Sequence, residues 1–197
     1  MTTENNNTLS DLSPGATYEL QLYTVFENKE SQAHLSTNFT TKPNAPGRMW
    51  VWFRNETTLL LLWEPPSPLG HYTGYNASIW PDYSMPDDVV PSETFVPEDV
   101  EPQAAFNGLV PGRAYNLSVQ TVSEGQLSEN ATWAVYRTVP LRPNNVTFET
   151  IEPRSFTVRW SGPSGSGEFD RWGQSNLLCP SWFIYNELVT IMIHDTE

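Results

Sequence analysis

Seven Asn-x-Ser/Thr triplets, none with proline in the middle, are the residues of this 197-residue chain whose spacing most directly names a chemistry. They start at Asn6, Asn38, Asn55, Asn76, Asn116, Asn130 and Asn145, and each is an acceptor for an N-linked glycan. Roughly three would arise by chance from the share of Ser and Thr. The excess favours a chain that passes through the secretory route. The bland alternative is a set of ordinary polar surface positions.

Other chemistries fail on spacing. His34, His71 and His194 stand in no metal-ligand arrangement with one another or with Cys179. No serine, Ser10 and Ser13 included, sits in the Gly-x-Ser-x-Gly elbow of a hydrolase. The stretch Gly162-Pro-Ser-Gly-Ser-Gly167 is glycine-rich, but no helix start follows it, as a phosphate cradle requires, so it reads as a turn. Asp82, Asp87, Asp88, Glu93, Glu98, Asp99 and Glu101 offer hard oxygen ligands for calcium without the glycine-turned spacing such a site needs. A solvated loop is the reading there. No catalytic residue, cofactor or metal ligand is therefore expected, and the chain reads as a non-enzyme.

The formal net charge of −13 opposes nucleic acid, anionic membrane and heparin-like partners. With Cys179 alone, no internal disulfide can form. The first residues lack the basic-then-apolar run of a signal peptide, and no apolar stretch approaches the ~20 residues that span a bilayer. A cytosolic protein or an incomplete piece of a longer one is expected, with no direct membrane insertion by this segment.

The elements that must position these residues show themselves as an internal repeat. Leu12, Pro14, Gly15, Tyr18, Leu20, Leu22, Thr24 and Val25 recur as Leu109, Pro111, Gly112, Tyr115, Leu117, Val119, Thr121 and Val122, each 97 positions on. The same displacement carries Thr41 to Thr138, Pro43 to Pro140, Pro46 to Pro143 and Trp63 to Trp160. A period of that length means tandem domains, because solenoid units run to about 20–50 residues. The 17 prolines, 11 glycines and the 8 Trp, 8 Tyr and 9 Phe suit many short strands joined by turns.

Within one unit the apolar period is two, as half-buried strands require. Leu59, Leu61 and Trp63 alternate, then Tyr75, Ala77 and Ile79, then Tyr115, Leu117 and Val119 after the turn Leu109-Val-Pro-Gly112. Ala105 and Phe106 mark a further strand, as do Met49–Phe53 before and Ala131–Arg137 after, with an ill-defined one in the acidic loop. That totals about seven, the count of a two-sheet sandwich. The cysteine positions of an immunoglobulin domain hold apolar residues such as Leu117, so aromatics do the stapling. Trp63 and its counterpart Trp160 fill the space between sheets, and Tyr115, with Tyr18 before it, is placed to bond back to the backbone as a tyrosine corner.

Leu-x-Pro-Gly-x-x-Tyr-x-(Leu/Val)-x-Val, Trp63-Glu-Pro-Pro66 and Tyr72-Thr-Gly-Tyr75 resemble fibronectin type III modules over residues 9 to about 172. The resemblance implies an all-β chain of tandem, immunoglobulin-like seven-stranded sandwiches, one complete and two partial. Residues 1–42 are expected to be the C-terminal part of one module, 43–140 a complete module and 141–172 the N-terminal part of a third. After Trp172 the register fails, and 173–197 is expected to be an off-pattern tail from a truncated or misjoined gene. Half sandwiches expose an inner face and sheet edges, so only the middle module is expected to fold alone.

Three phrases, Pro46-Gly-Arg-Met-Trp-Val-Trp-Phe-Arg-Asn-Glu-Thr57, Val110-Pro-Gly-Arg-Ala-Tyr-Asn116 and Tyr136-Arg-Thr-Val-Pro-Leu-Arg-Pro143, resemble the ectodomains of insect receptor-type tyrosine phosphatases of the 10D type. That resemblance implies a single-pass parent with this segment outside the plasma membrane, binding an extracellular protein ligand and neighbouring modules, with signalling by a cytoplasmic phosphatase domain. The phosphatase nucleophile, a His-Cys pair with arginine six positions after the cysteine, is absent, since Cys179 follows Leu178 and Tyr185 holds the sixth position. The alternatives are the ectodomain of a non-enzymatic adhesion or guidance receptor, and a secreted enzyme with these modules as appendages. Trp50 and Trp52 are expected to point out of the sandwich. They would serve as an adhesion hot spot or, more in keeping with the linker nearby, pack on the preceding module or a glycan.

Overall fold

The computed structural model describes residues 6–82, 92–165 and 167–168. Phe169, Trp172 and the tail with Cys179 lie outside the described residues, and so do the expectations placed there. Every regular element described is a strand. The first are β1 (Thr17–Leu22), β2 (Val25–Phe26), β3 (Lys29–Glu30) and β4 (Leu35–Thr40), followed by β5 (Met49–Arg54), β6 (Leu59–Trp63), β7 (Gly74–Pro81) and β8 (Ser92–Pro97). Then come β9 (Gln103–Phe106), β10 (Ala114–Ser123), β11 (Gln126–Leu127), β12 (Thr132–Arg137), β13 (Asn144–Glu152) and β14 (Ser155–Ser161).

Strands β5 to β12 form a sandwich of two antiparallel sheets. One is β5-β6-β9; in the other, β10 is flanked by β7 and β12, β8 lies outside β7, and short β11 pairs with the end of β10. The strand in the acidic loop is β8, whose proline-bounded ends suit an edge. Strand β10 alternates buried and half-buried residues along its whole length, the period-two signature of a central strand with one dry face.

Leu59, Leu61, Trp63, Tyr75, Ala77, Ile79, Phe106, Tyr115, Leu117 and Val119 make the core. At its centre Trp63 meets Tyr75 edge-on, ring centroids 5.4 Å apart at 70°, and Tyr75 meets Tyr72 at 5.3 Å. Such pairs add about 0.5–1.5 kcal/mol to the burial of the rings. Trp63 Nε1 is buried and makes no hydrogen bond, so this indole works by shape and area.

The corner before β10 is a network. The Val110 N–H donates to Tyr115 Oη at 2.8 Å, the Thr138 hydroxyl donates to the Val110 carbonyl at 2.7 Å, and the Gly112 N–H reaches the Val139 carbonyl at 3.2 Å. Ninety-seven residues earlier the same bonds recur: Ser13 N–H to Tyr18 Oη at 2.8 Å, Thr41 hydroxyl to Ser13 carbonyl at 2.7 Å and Gly15 N–H to Lys42 carbonyl at 3.1 Å. The recurrence of Thr41 as Thr138 thus has a cause: each hydroxyl ties the last strand of its unit to the corner turn.

The flanking units keep the pattern and lack the burial. β1 pairs with β4, and β13 with β14, as two-stranded sheets. Leu22 is 63% exposed where its counterpart Val119 is fully buried. Val146 and Phe148 are likewise exposed, whereas Met49, which Val146 matches, is buried, and Val51 packs on the core.

The first strand of the sandwich adds detail to the expected outward tryptophans. Trp50 stands opposite Leu62, on the face away from the core pairs Met49–Trp63 and Val51–Leu61, and is half-buried there. A bulge between Val51 and Phe53 then makes Trp52 the extra residue and puts Phe53 opposite Leu60. Trp52 is 71% exposed, and the exposed pair is Trp52 with Phe53.

The units join through the same turn that carries the tyrosine corner. The His71 N–H donates to the Pro14 carbonyl at 3.0 Å, and the Glu168 N–H donates to the Pro111 carbonyl at 2.8 Å, again with a displacement of 97. Gly15 and Gly112 hold φ of 71° and 75°, and a Cβ on either would overlap the carbonyl oxygen of His71 or Glu168. From the other side, a Cβ on Gly70 would come within 2.8 Å of the Pro14 carbonyl oxygen, and one on Gly167 within 3.3 Å of Pro111 Cβ. The first junction adds a bond from the Ser123 hydroxyl to the Gly15 carbonyl at 2.7 Å. The second adds an ion pair, Arg113 Nε to Glu168 Oε1 at 2.7 Å with Nη2 at 2.5 Å from the same oxygen.

Trp63→Ala is expected to cost about 3–5 kcal/mol, and Trp63→Phe less than half of that because no hydrogen bond is lost with the indole; urea unfolding of the chain followed by circular dichroism ranks the two. Burial, the largest cause, pushes the Tyr75 and Tyr115 hydroxyls above their ordinary range. The fold therefore favours their protonated forms. That contribution is fully present below about pH 10, the unfolded value, and is lost as pH rises beyond it. Near-ultraviolet absorbance should show a tyrosine fraction that ionises only as the chain unfolds.

Gly112→Ala should undock the third unit, seen as a larger maximum dimension in small-angle scattering and faster amide exchange at Glu168. Gly108 has the same sign of φ, 72°, with open space around it. Gly108→Ala should carry only the backbone strain of about 1–2 kcal/mol and leave the dimension unchanged.

Candidate interaction surfaces

Among the described residues, no group of three or more His, Cys, Asp or Glu is placed to hold a metal ion. His34 packs against Tyr23, centroids 4.8 Å apart with the rings tilted by 34°, and His71 sits in the first junction. His194, Cys179, Asp87 and Asp88 lie outside the described residues. Of the acidic run, Asp82 and Glu93 hydrogen-bond side-chain amides of the larger sheet, while Glu98 turns its N–H to the Thr73 carbonyl at 3.1 Å. These acids serve the edge of the sheet and do not converge.

The seven glycan acceptors fall into three settings. Asn6 and Asn130 are exposed outside strands, Asn130 in the loop between β11 and β12. Asn55 lies in the β5–β6 turn, where its Oδ1 accepts the Thr57 N–H at 2.8 Å, an Asx-turn that fixes the side chain. The others are on strands. Asn38 of β4 stands opposite Glu19, whose carboxyl is held below its ordinary value first by the Ser36 hydroxyl and then by Gln21. Asn145, exposed on β13, takes a left-handed φ of 49°. Asn76 and Asn116 sit on β7 and β10, out of phase with the buried residues, on the outer face of the larger sheet.

That outer face carries large apolar side chains that the sequence reading passed over. Trp80 stands opposite Asn116, Val135 flanks Asn116 on the other side, Trp133 is opposite Ser118, and Phe95 is opposite Asn76. All four are exposed, Trp133 by 70%. The signal lies in the outward half of each alternation: Trp80 is in phase with Asn76 on β7, and the others stand opposite Asn76, Asn116 or Ser118. Trp52 and Phe53 lie on β5, a strand of the other sheet, so the sandwich presents two separate aromatic surfaces. Trp63, Tyr18 and Tyr115 serve the core and the corners, while Trp160 lies on β14, which pairs with β13. No helix among the described residues is long and apolar enough to cross a membrane.

The collagen alpha-1(XII) chain of Oryctolagus cuniculus is 29% identical over 80% of this chain and 24% of its own length. Tenascin-R of Gallus gallus is 28% identical over 80% of this chain and 11% of its own. Tyrosine-protein phosphatase Lar of Drosophila melanogaster is 26% identical over 80% of this chain and 8% of its own. The chain thus spans a quarter or less of the curated relatives it matches. Residues 44–133 match the family described as "Fibronectin type III domain", a span that starts in the linker before β5 and ends within β12. Residues 44–133 thus match a fibronectin type III domain and fold as a two-sheet sandwich with a tyrosine corner, set between stretches that share its 97-residue pattern.

Proposed function

We propose that this chain is an extracellular spacing and ligand-binding segment of a receptor-type protein tyrosine phosphatase of the 10D kind, lying on the outer side of the plasma membrane in a single-pass protein. The observation that carries the reading is the pair of matched junctions, His71 to Pro14 and Glu168 to Pro111. An array whose units dock through one repeated backbone bond holds its distal parts at a set distance, which is what a spacer must do. The similarity to phosphatase Lar supports a receptor phosphatase as parent. The module bounds that follow are 1–42, 43–140 and 141–172, with the complete module in the middle.

The partners of this reading are an extracellular protein ligand and the neighbouring modules. Trp52 with Phe53, and Trp50 beside them, is one surface for such a ligand, because exposed aromatics supply most of the energy where proteins meet. The chain itself performs no catalysis. A second reading, a piece of an adhesion or matrix protein without an enzyme, is favoured by the similarity to tenascin-R and collagen XII at comparable identity.

Sequencing the transcript downstream of the codon for Trp172 separates the two. The expected outcome is an in-frame apolar span of about 20 residues followed by a His-Cys motif with arginine six positions after the cysteine. A span followed by a tail without that motif would favour the adhesion reading, and a secreted catalytic domain would exclude both.

A further inference from the structure

We propose that Asn116 carries an N-linked glycan whose first N-acetylglucosamine is seated on the sheet, between Trp80 and Val135. The proposal rests on the extracellular reading above and adds to it a built site. On an antiparallel sheet, residues directly opposite share a face, with Cβ atoms about 4.5–5.5 Å apart. Asn116 has Trp80 opposite on β7 and Val135 opposite on β12, with Trp133 on the diagonal next to Val135. The acceptor nitrogen therefore stands in a shallow trough with an indole on one side and an isopropyl group on the other. A hexosamine ring has one face lined by C–H groups, which packs on the electron-rich face of an indole as other partly positive edges do.

The amide is already aimed. Asn116 Nδ2 donates to Asp82 Oδ1 at 3.3 Å. Attachment forms the bond from sugar C1 to Nδ2 as the bond from C1 to the oxygen of a lipid-diphosphate oligosaccharide donor breaks. One amide proton leaves, the lipid diphosphate departs, and no electrons change hands. The second amide hydrogen remains and can keep the bond to Asp82. The hydroxyl of the triplet, Ser118, lies on the same outer face opposite Ser78.

Asn76 repeats the design on the next strands. Phe95 stands opposite it, and Nδ2 donates to Glu93 Oε2 at 3.5 Å. Asn76 lies roughly 13 Å along β7 from the position facing Asn116, room for two proximal sugars side by side. A protein partner fits this face less well. Its aromatic groups are interleaved with Asn, Ser, Gln and Glu instead of forming the continuous apolar centre of a protein contact.

The test uses the whole chain secreted from insect cells, with glycopeptide mass mapping of all seven acceptors. Asn116 is expected to be occupied, and the methyl of its first N-acetyl group to show an upfield ring-current shift in the NMR spectrum that disappears in Trp80→Ala. Trimming to a single N-acetylglucosamine should leave Tm unchanged, while Asn116→Gln lowers it by about 2–4 °C, the scale of one modest contact in a chain of this size. In the Trp80→Ala, Val135→Ala background Asn116→Gln should lower it no further. An occupied Asn116 with no ring-current shift, or with equal loss in both backgrounds, would overturn the seat. So would an empty Asn116 beside occupied Asn130, which leaves the extracellular reading standing. No occupancy at any acceptor would remove both, and a protein captured through Trp80 and Val135 of the unmodified chain would reassign the face.

Discussion

Everything in this chain hangs on a glycine held in a left-handed conformation. At Gly15 and Gly112 the backbone turns with positive φ, and beside that turn the corner N–H meets Tyr18 or Tyr115 while the corner carbonyl accepts from Thr41 or Thr138. The same turn exposes the carbonyl of Pro14 or Pro111 to the N–H of the following unit. A side chain at either position would enter the neighbour's backbone. Holding the tyrosine corner and docking the following stretch are thus a single local solution, used twice.

Around that turn the core takes the place that a disulfide holds in related sandwiches. Trp63, Tyr75 and Tyr115 bury their rings between two sheets, with no cysteine at hand. The consequence is visible in the units on either side. Where two strands are paired without a covering sheet among the described residues, apolar residues at the same register, such as Leu22 and Phe148, stay exposed, because an inner face needs a second sheet to cover it. Burial here follows from having both sheets and not from the residues of one strand.

Much of this was legible in the sequence. The 97-residue displacement and the alternation of Leu59, Leu61 and Trp63 or Tyr115, Leu117 and Val119 fixed the strands and their inward faces, because a period of two leaves little freedom once one face is apolar. Three things were not. The bulge at Trp52 depends on how β5 pairs with β6, which no single strand reveals. The contacts of His71 and Glu168 join residues 57 positions from their partners and become visible only when the two junctions are compared, although Gly70 and Gly167 recur at the shared displacement. The outward Trp80, Phe95 and Val135 escaped because cross-strand register, unlike alternation, is a property of pairs.

The two junctions share a backbone bond but differ in what surrounds it. Ala16 and His71 stand in the first where Arg113 and Glu168 stand in the second. Arg113 is almost fully buried, and both of its bonds to Glu168 fall on one oxygen. A unit offering histidine at that place would forgo those two bonds, whereas the first junction makes no such demand. The shared turn makes the two junctions alike in backbone, and the buried guanidinium makes them unlike in charge, so neither following stretch is a like-for-like substitute for the other.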